Sequence, residues 1–162
     1  MSYNIITSQN AKSKAASYIE RGWQVVPVLK GEKRPVLDAW QNLRLTLDDL
    51  PKYFNDGQNV GVMLGEPSGW LTDVDLDRPE ALKIAPFFLP STHAIFGRSS
   101  KQKSHWLYRC EGAKTTRFEF KEGFKDDPEG ACIAELRSTG LQTVFPPSIH
   151  PSGEVVTWHE EG

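Results

Sequence analysis

Residues 70–77, WLTDVDLD, constrain the fold more than any other stretch of the chain. From Asp73 to Leu76 carboxylates and apolar side chains alternate, the two-residue period of a β-strand with two different faces. Asp73 and Asp75 share a face with Leu71, while Val74 and Leu76 point the other way, into a core. Like charges about 7 Å apart along a strand repel, and a divalent ion such as Mg²⁺ or Mn²⁺, which prefers hard oxygen ligands, offsets that repulsion. The pair therefore reads either as a metal platform for phosphoryl transfer or as the solvated acidic end of a strand. Asp77 stands apart: with Glu80 three residues on, it has the D-x-x-E spacing of a helix N-cap.

Around this strand the pattern is mixed. SQNAKSKAASYIERG (8–22) predicts an amphipathic helix with Ser8 as cap candidate and Gly22 as stop. WQVVPVL predicts a strand that Pro27 pushes to a sheet edge. TLDDLPKYFNDG, with Thr46 and Asp49 in capping-box spacing, predicts a short helix. NVGVMLG and GWLTDVD read as β segments joined by the turn EPSG, and RPEALKIAPFFLP as a helix as far as Pro86. The strands THAIFGR, HWLYR, TRFEF, CIAELR, LQTVF and EVVTW follow, so the class is α+β with most of the sheet in the second half. There is no repeat or Gly/Ser linker, and the 162 residues form one expected domain, 1–162.

The formal net charge of −2 argues against a broad basic surface, so contact with nucleic acid has to be local or supplied by other parts of a longer protein. Two cysteines without a CxxC or Cys/His cluster exclude a disulfide framework and a structural zinc site. No apolar stretch approaches the roughly 20 residues that span a bilayer. The opening MSYNIITSQNAKSK lacks the apolar core of a signal peptide, so the expected location is cytoplasmic, with no membrane partner.

Three further clusters carry chemistry. In CIAELR, Glu135 is a lone carboxylate on a strand expected to be buried, which needs a cation; either it pairs with Arg137 on its own face or it joins Asp73 and Asp75 as a third ligand. FGRSSKQKSHWLYR brings Arg98, Ser99, Lys101, Lys103 and Ser104 up to His105, which begins a strand. Such a loop suits a triphosphate, since amines supply point charges and Arg binds bidentately; it also suits an ordinary soluble hairpin. VFPPSIHPSG sets Ser148 and His150 in a stiff turn that either presents binding groups or ends a strand. Lys33 and Arg34 in GEKRP reach a nucleotide or template strand, or merely keep a turn soluble.

Four segments in this order, GWQVVPVLKGEKRP, the DVD, GRSSKQKSHWLYR and ELRSTGLQTVFPPSIHPSG, resemble the bifunctional primase–polymerase (Prim-Pol) N-terminal domain of the archaeo-eukaryotic primase superfamily, common in phage and plasmid replication proteins. The resemblance runs from Gly22 to Trp158. Its apolar-D-x-D motif falls on Asp73 and Asp75, its s-x-H motif on His105, and its apolar-then-acidic motif on Glu135. By that resemblance Asp73, Asp75, Glu135 and His105 are catalytic, and the three carboxylates hold two Mg²⁺ or Mn²⁺ ions. His105 would contact the phosphates of an incoming NTP or dNTP, together with Arg98, Ser99, Lys101, Lys103, Ser104, Arg137 and His150. The implied fold is an RRM-like catalytic sheet packed with a smaller N-terminal α/β unit. The implied partners are a single-stranded or primed DNA template and downstream helical or helicase domains of the same protein. One departure is plain: the s of s-x-H falls on Lys103, and the serine, Ser104, comes one place later. Two other functions use the same features, a metal-dependent nuclease and a non-catalytic single-strand-binding module stacking bases on Trp106 and Tyr108.

Overall fold

The computed structural model describes residues 5–55, 57–120, 122 and 131–162. Helix α1 (Ile5–Glu20) ends as Gly22 predicts. Gly22 takes the left-handed conformation (φ 81), its N–H donating to the Ile19 carbonyl and the Trp23 N–H to the Tyr18 carbonyl. A residue without Cβ makes that turn at little cost and satisfies the last carbonyls. The helix begins before Ser8, which lies inside it instead of capping it. Thr46 N–H and Oγ1 both donate to Asp49 Oδ2 (2.8 and 2.7 Å), closing the expected capping box ahead of the short helix α2 (Leu50–Tyr53).

Two antiparallel sheets carry the rest. The smaller has the order β1 (Val25–Val28), β2 (Asn59–Met63), β8 (Gln142–Phe145), with the proline-bearing β1 on an edge, where a missing N–H donor is tolerated. The larger runs β6 (Thr116–Glu119), β7 (Cys132–Arg137), β3 (Leu71–Leu76), β5 (Lys101–Arg109), β4 (Ile95–Arg98), β9 (Thr157–Glu160). Helix α3 (Pro79–Phe88) covers one face, where Leu76, Ile95 and Trp106 meet Ala81 and Ala85. On the other face Leu71, Phe96 and Leu107 join Tyr18, Val60, Val62 and Phe145 in a core shared with the smaller sheet and α1. The alternation in β3 thus sorts its side chains as expected, and the class is α+β.

Residues 59–63 and 71–76 are strands joined by a turn at EPSG, as expected: a 3-10 turn at Glu66–Ser68, with Gly65 and Trp70 at positive φ (74 and 63), carries the chain from one sheet to the other. Local expectations needed correction in three places. Helix α3 runs past Pro86 to Phe88, because a proline in the last turn forfeits only one ladder bond. The residue capping α3 is Arg78, without a side-chain cap bond, and not Asp77. Asp77 directly follows the strand, its N–H donating to the Ile133 carbonyl at 2.9 Å. Finally, β5 begins at Lys101, not at His105. Among the described residues no helix is long and apolar enough to cross a membrane.

Candidate active site

Strand β3 lies between β5 and β7, and the pairing register builds the site. Asp75 stands opposite His105 on one side and Glu135 on the other; Asp73 stands opposite Leu107 and Arg137. Side chains directly across an antiparallel pair share a face. Asp75, His105 and Glu135 therefore form a row across three strands, with Asp73 one step behind it.

Asp73 is wholly buried. Its Oδ2 lies 3.0 Å and its Oδ1 3.2 Å from His105 Nδ1, and Thr143 Oγ1 donates to Oδ2 at 2.7 Å. Burial alone would push this carboxyl upward, but the charge and hydrogen bond of His105, with Arg137 and Thr143, hold it below the usual carboxylate range. Burial likewise opposes charge on His105, yet the neighbouring Asp75 and Asp73 carboxylates raise its pKa above the ordinary imidazole value. Each partner thus favours the charged form of the other. The imidazole stacks on Phe96, with ring centroids 4.5 Å apart and planes 14° apart, which fixes its plane.

Arg137 ties the row together. Its Nε lies 3.3 Å from Glu135 Oε2, its Nη1 3.6 Å from Asp75 Oδ2, and it donates to Thr143 Oγ1 (3.0 Å) and to the Gln142 carbonyl (2.9 Å). The ion pair between Glu135 and Arg137 is therefore present, and Glu135 is part-exposed rather than buried. Among the described residues no three His, Cys, Asp or Glu side chains are gathered to hold a metal ion. The expected three-carboxylate platform is not assembled: Asp75 and Glu135 face the cleft as neighbouring hard oxygen donors, the type that suits Mg²⁺ or Mn²⁺, while both oxygens of Asp73 serve His105.

Above the row lies a chamber of about 150 Å³ whose walls include Asp75, Asp77, Lys33, Arg98, Lys101 and Arg137. Burial lowers the Lys33 pKa against the pull of Asp75, and the repulsion of Arg98, Lys101 and Arg137 acts in the same direction as burial. Burial and the cations Arg98 and Lys33 lower that of His150. Cations brought together at such a cost suit a polyanion. The buried atoms Ser104 Oγ, Gln142 Oε1 and His150 Nε2, all on residues lining this chamber, have no hydrogen-bond partner among the described residues. Buried polar groups are seldom left so, and three around one chamber fit a polar ligand.

Of the expected contacts, the fold brings Arg98, Lys101, Ser104, His105, Arg137 and His150 to this chamber. Ser99 and Lys103 line a separate depression beside Trp158 and His159. Ser99 Oγ, Ser100 N–H and Oγ, and Arg98 Nε donate to Glu154 (2.5, 2.6, 2.7 and 3.1 Å), and these hydrogen bonds from Ser99 and Ser100, with one from Ser152, hold its carboxyl far below its usual pKa. Lys33 reaches the chamber, and Arg34 lies in the groove beyond it. Trp106 is buried under α3 and Tyr108 donates to the Pro90 carbonyl (2.7 Å), so this pair does not form an open stacking platform. Sequence reasoning missed Thr143 and Glu154, which reach the site from remote segments. It also missed Asp77, whose carboxylate accepts from Lys101 at 3.2 Å; the strand alternation 73, 75, 77 was the available signal.

Carboxylates on a central antiparallel strand, backed by a pinned histidine and accompanied by lysines and arginines, give the cleft a polarity that suits an anionic ligand. The family model for the N-terminal domain of bifunctional DNA primase/polymerases, Prim-Pol, matches residues 15–162, and the chain belongs to that family. No curated protein matches the sequence. The family is one of DNA primases and polymerases, enzymes that handle nucleotides and nucleic acid and generally use divalent metals.

Proposed function

We propose that the chain transfers a nucleotidyl group from an NTP or dNTP to a 3′-hydroxyl on a DNA template, releasing pyrophosphate. The six-stranded sheet would be the catalytic, RRM-like sheet of a primase-like core, and residues 1–162 one catalytic domain. The observation that carries the reading is the lining of the cleft, where Asp75 and Asp77 stand together with Lys33, Arg98 and Lys101. A nucleoside triphosphate needs both: cations against its phosphates, and carboxylates where its metal partners sit.

Asp75 and Glu135 would hold the divalent ions, with Asp73 as the buried carboxylate of the set. Such ions supply activation of the attacking hydroxyl and neutralisation of phosphate charge. Lys33, Arg98 and Lys101 would position the triphosphate by charge, and Arg98, whose Nε is taken by Glu154, would use the other donors of its fork. His105, whose raised pKa favours the form with a proton on both nitrogens, would donate Nε2–H to a phosphate oxygen while Nδ1 stays on Asp73. Positioning and fixed charge of this kind lower the barrier without reorganisation during the reaction.

Primer extension tests it. Wild-type protein with primed template, Mn²⁺ or Mg²⁺ and dNTPs or NTPs should lengthen the primer, and Asp75→Asn should lose about a hundredfold or more in rate. Shortened substrate would make the protein a nuclease. Extension undiminished in Asp75→Asn, or absent from the wild type with every metal and nucleotide, overturns the reading.

A further inference from the structure

Beyond Asp75 the cleft continues into a groove of about 700 Å³ that shares Lys33, Asp75, Asp77 and Arg137 with the phosphate chamber. We propose that this groove seats single-stranded DNA, one base stacking on Trp40 and a backbone phosphate meeting Arg34; the inference rests on the nucleotidyl-transfer reading for which strand end is delivered to Asp75. Trp40 is only half-buried and has no ring partner among the described residues, although buried aromatics here pair extensively. It opens a 3-10 turn (Trp40–Asn42) behind Ala39, which holds the left-handed conformation at φ 51 and ψ 31. A residue with a Cβ rarely stays there, and such strain clusters at ligand sites. Arg34 is exposed and has no carboxylate within ion-pair distance among the described residues.

The loop that carries these residues is fixed. The Glu32 carbonyl accepts from Asn59 Nδ2 (3.1 Å), the Lys33 carbonyl accepts from Gln142 Nε2 (2.6 Å), and Pro35 bridges to Val28. An aromatic plate and an unpaired cation on a pinned loop are the two elements of sequence-tolerant single-strand binding, stacking plus phosphate attraction. Their position decides between strand and nucleotide. Arg98 and Lys101 line the chamber and not the groove, Trp40 and Arg34 line the groove and not the chamber, and Asp75 and Asp77 line both.

The test is the anisotropy of a fluorescently labelled single-stranded oligodeoxynucleotide, titrated with the full chain without metal or nucleotide. Trp40→Ala should weaken binding about tenfold, and Trp40→Phe should recover most of it, an outcome that loss of packing alone would not give. Arg34→Ala should weaken binding and reduce the salt slope by about one. In parallel, the affinity of Trp40→Ala for a Mn²⁺–dNTP complex should equal that of wild type. Strand binding by Trp40→Ala within twofold of wild type overturns the proposal, as does a loss confined to nucleotide binding, which would make the groove a nucleobase site. If the strand results hold while wild type extends no primer, the catalytic reading fails and this one stands; extension with an indifferent Trp40 fails this one alone.

Discussion

At the scale of single residues, Asp73 and His105 behave as one unit. The folded state raises the pKa of His105 and lowers that of Asp73. A raised imidazole contributes stability below its unfolded pKa of about 6.5 and loses it as pH rises through the higher folded value. A depressed carboxyl contributes above about 3.9 and loses it as pH falls through the lower folded value. The pair is thus worth most between about pH 4 and 6.5. In metal-free protein the NMR titration of His105 should have a midpoint above that of an ordinary histidine, and Asp73→Asn should move it down; an unmoved midpoint would disprove the pairing. Asp73→Ala, which strips the part-buried His105 of its partner, should cost on the order of 3 kcal/mol in denaturant unfolding. Lost activity in that variant is consequently weaker support for chemistry than lost activity in Asp75→Asn, whose side chain reaches the cleft.

At the scale of elements, the β4–β5 hairpin explains the displaced serine of the s-x-H motif. Phe96 pairs with His105 and Arg98 with Lys101, so Gly97 alone faces Gln102, Lys103 and Ser104. The surplus bulges: Lys103 goes left-handed at φ 53, and a Cβ on Gly97 would collide with the Lys101 carbonyl and Lys103 N–H. In a regular strand Ser104 and His105 would face opposite ways; the bulge re-aims them so that both line the chamber. Gly97→Ala should therefore lower stability by about 2 kcal/mol and weaken nucleotide binding together. Lys103→Gly should be neutral or stabilise by up to about 1 kcal/mol, having removed a left-handed residue with a Cβ, and should leave nucleotide affinity unchanged. Destabilisation by Lys103→Gly would refute the bulge. The contrast marks what a sequence can disclose. The faces of WLTDVD are legible because alternation is local, whereas the bulge depends on counting residues across two strands. Thr143 and Glu154 carry no local mark, since each matters only through a partner brought close by the fold.

At the scale of the molecule, β8 binds the two sheets into one structure. It comes late in the chain yet completes the early sheet beside β2, and its Gln142 and Thr143 form a wall of the phosphate chamber. Its Phe145 is fully buried against Tyr18, Trp23, Phe96 and Trp158, with centroids 4.8–5.8 Å away. Tyr18 stitches the same contact, donating to the Pro146 carbonyl (2.7 Å) and accepting from Trp158 Nε1 (3.2 Å). A core that draws side chains from α1 and both sheets leaves neither sheet a hydrophobic cluster of its own on that face. The molecule should then unfold in one transition, with far-UV circular dichroism, tryptophan fluorescence and the His105 NMR signal changing together. Phe145→Ala should destabilise it by about 3–5 kcal/mol and Tyr18→Phe by about 1–2 kcal/mol, each moving all three probes in step. The sharper consequence concerns the site: Phe145 lies two residues from Thr143 on β8, so loosening that strand should weaken the Thr143–Asp73 hydrogen bond. Under conditions where Phe145→Ala remains folded, its His105 midpoint should fall towards that of Asp73→Asn. Separate transitions for the two sheets, or a His105 indifferent to Phe145, would show that the smaller sheet is an attached unit and not a wall of the active site.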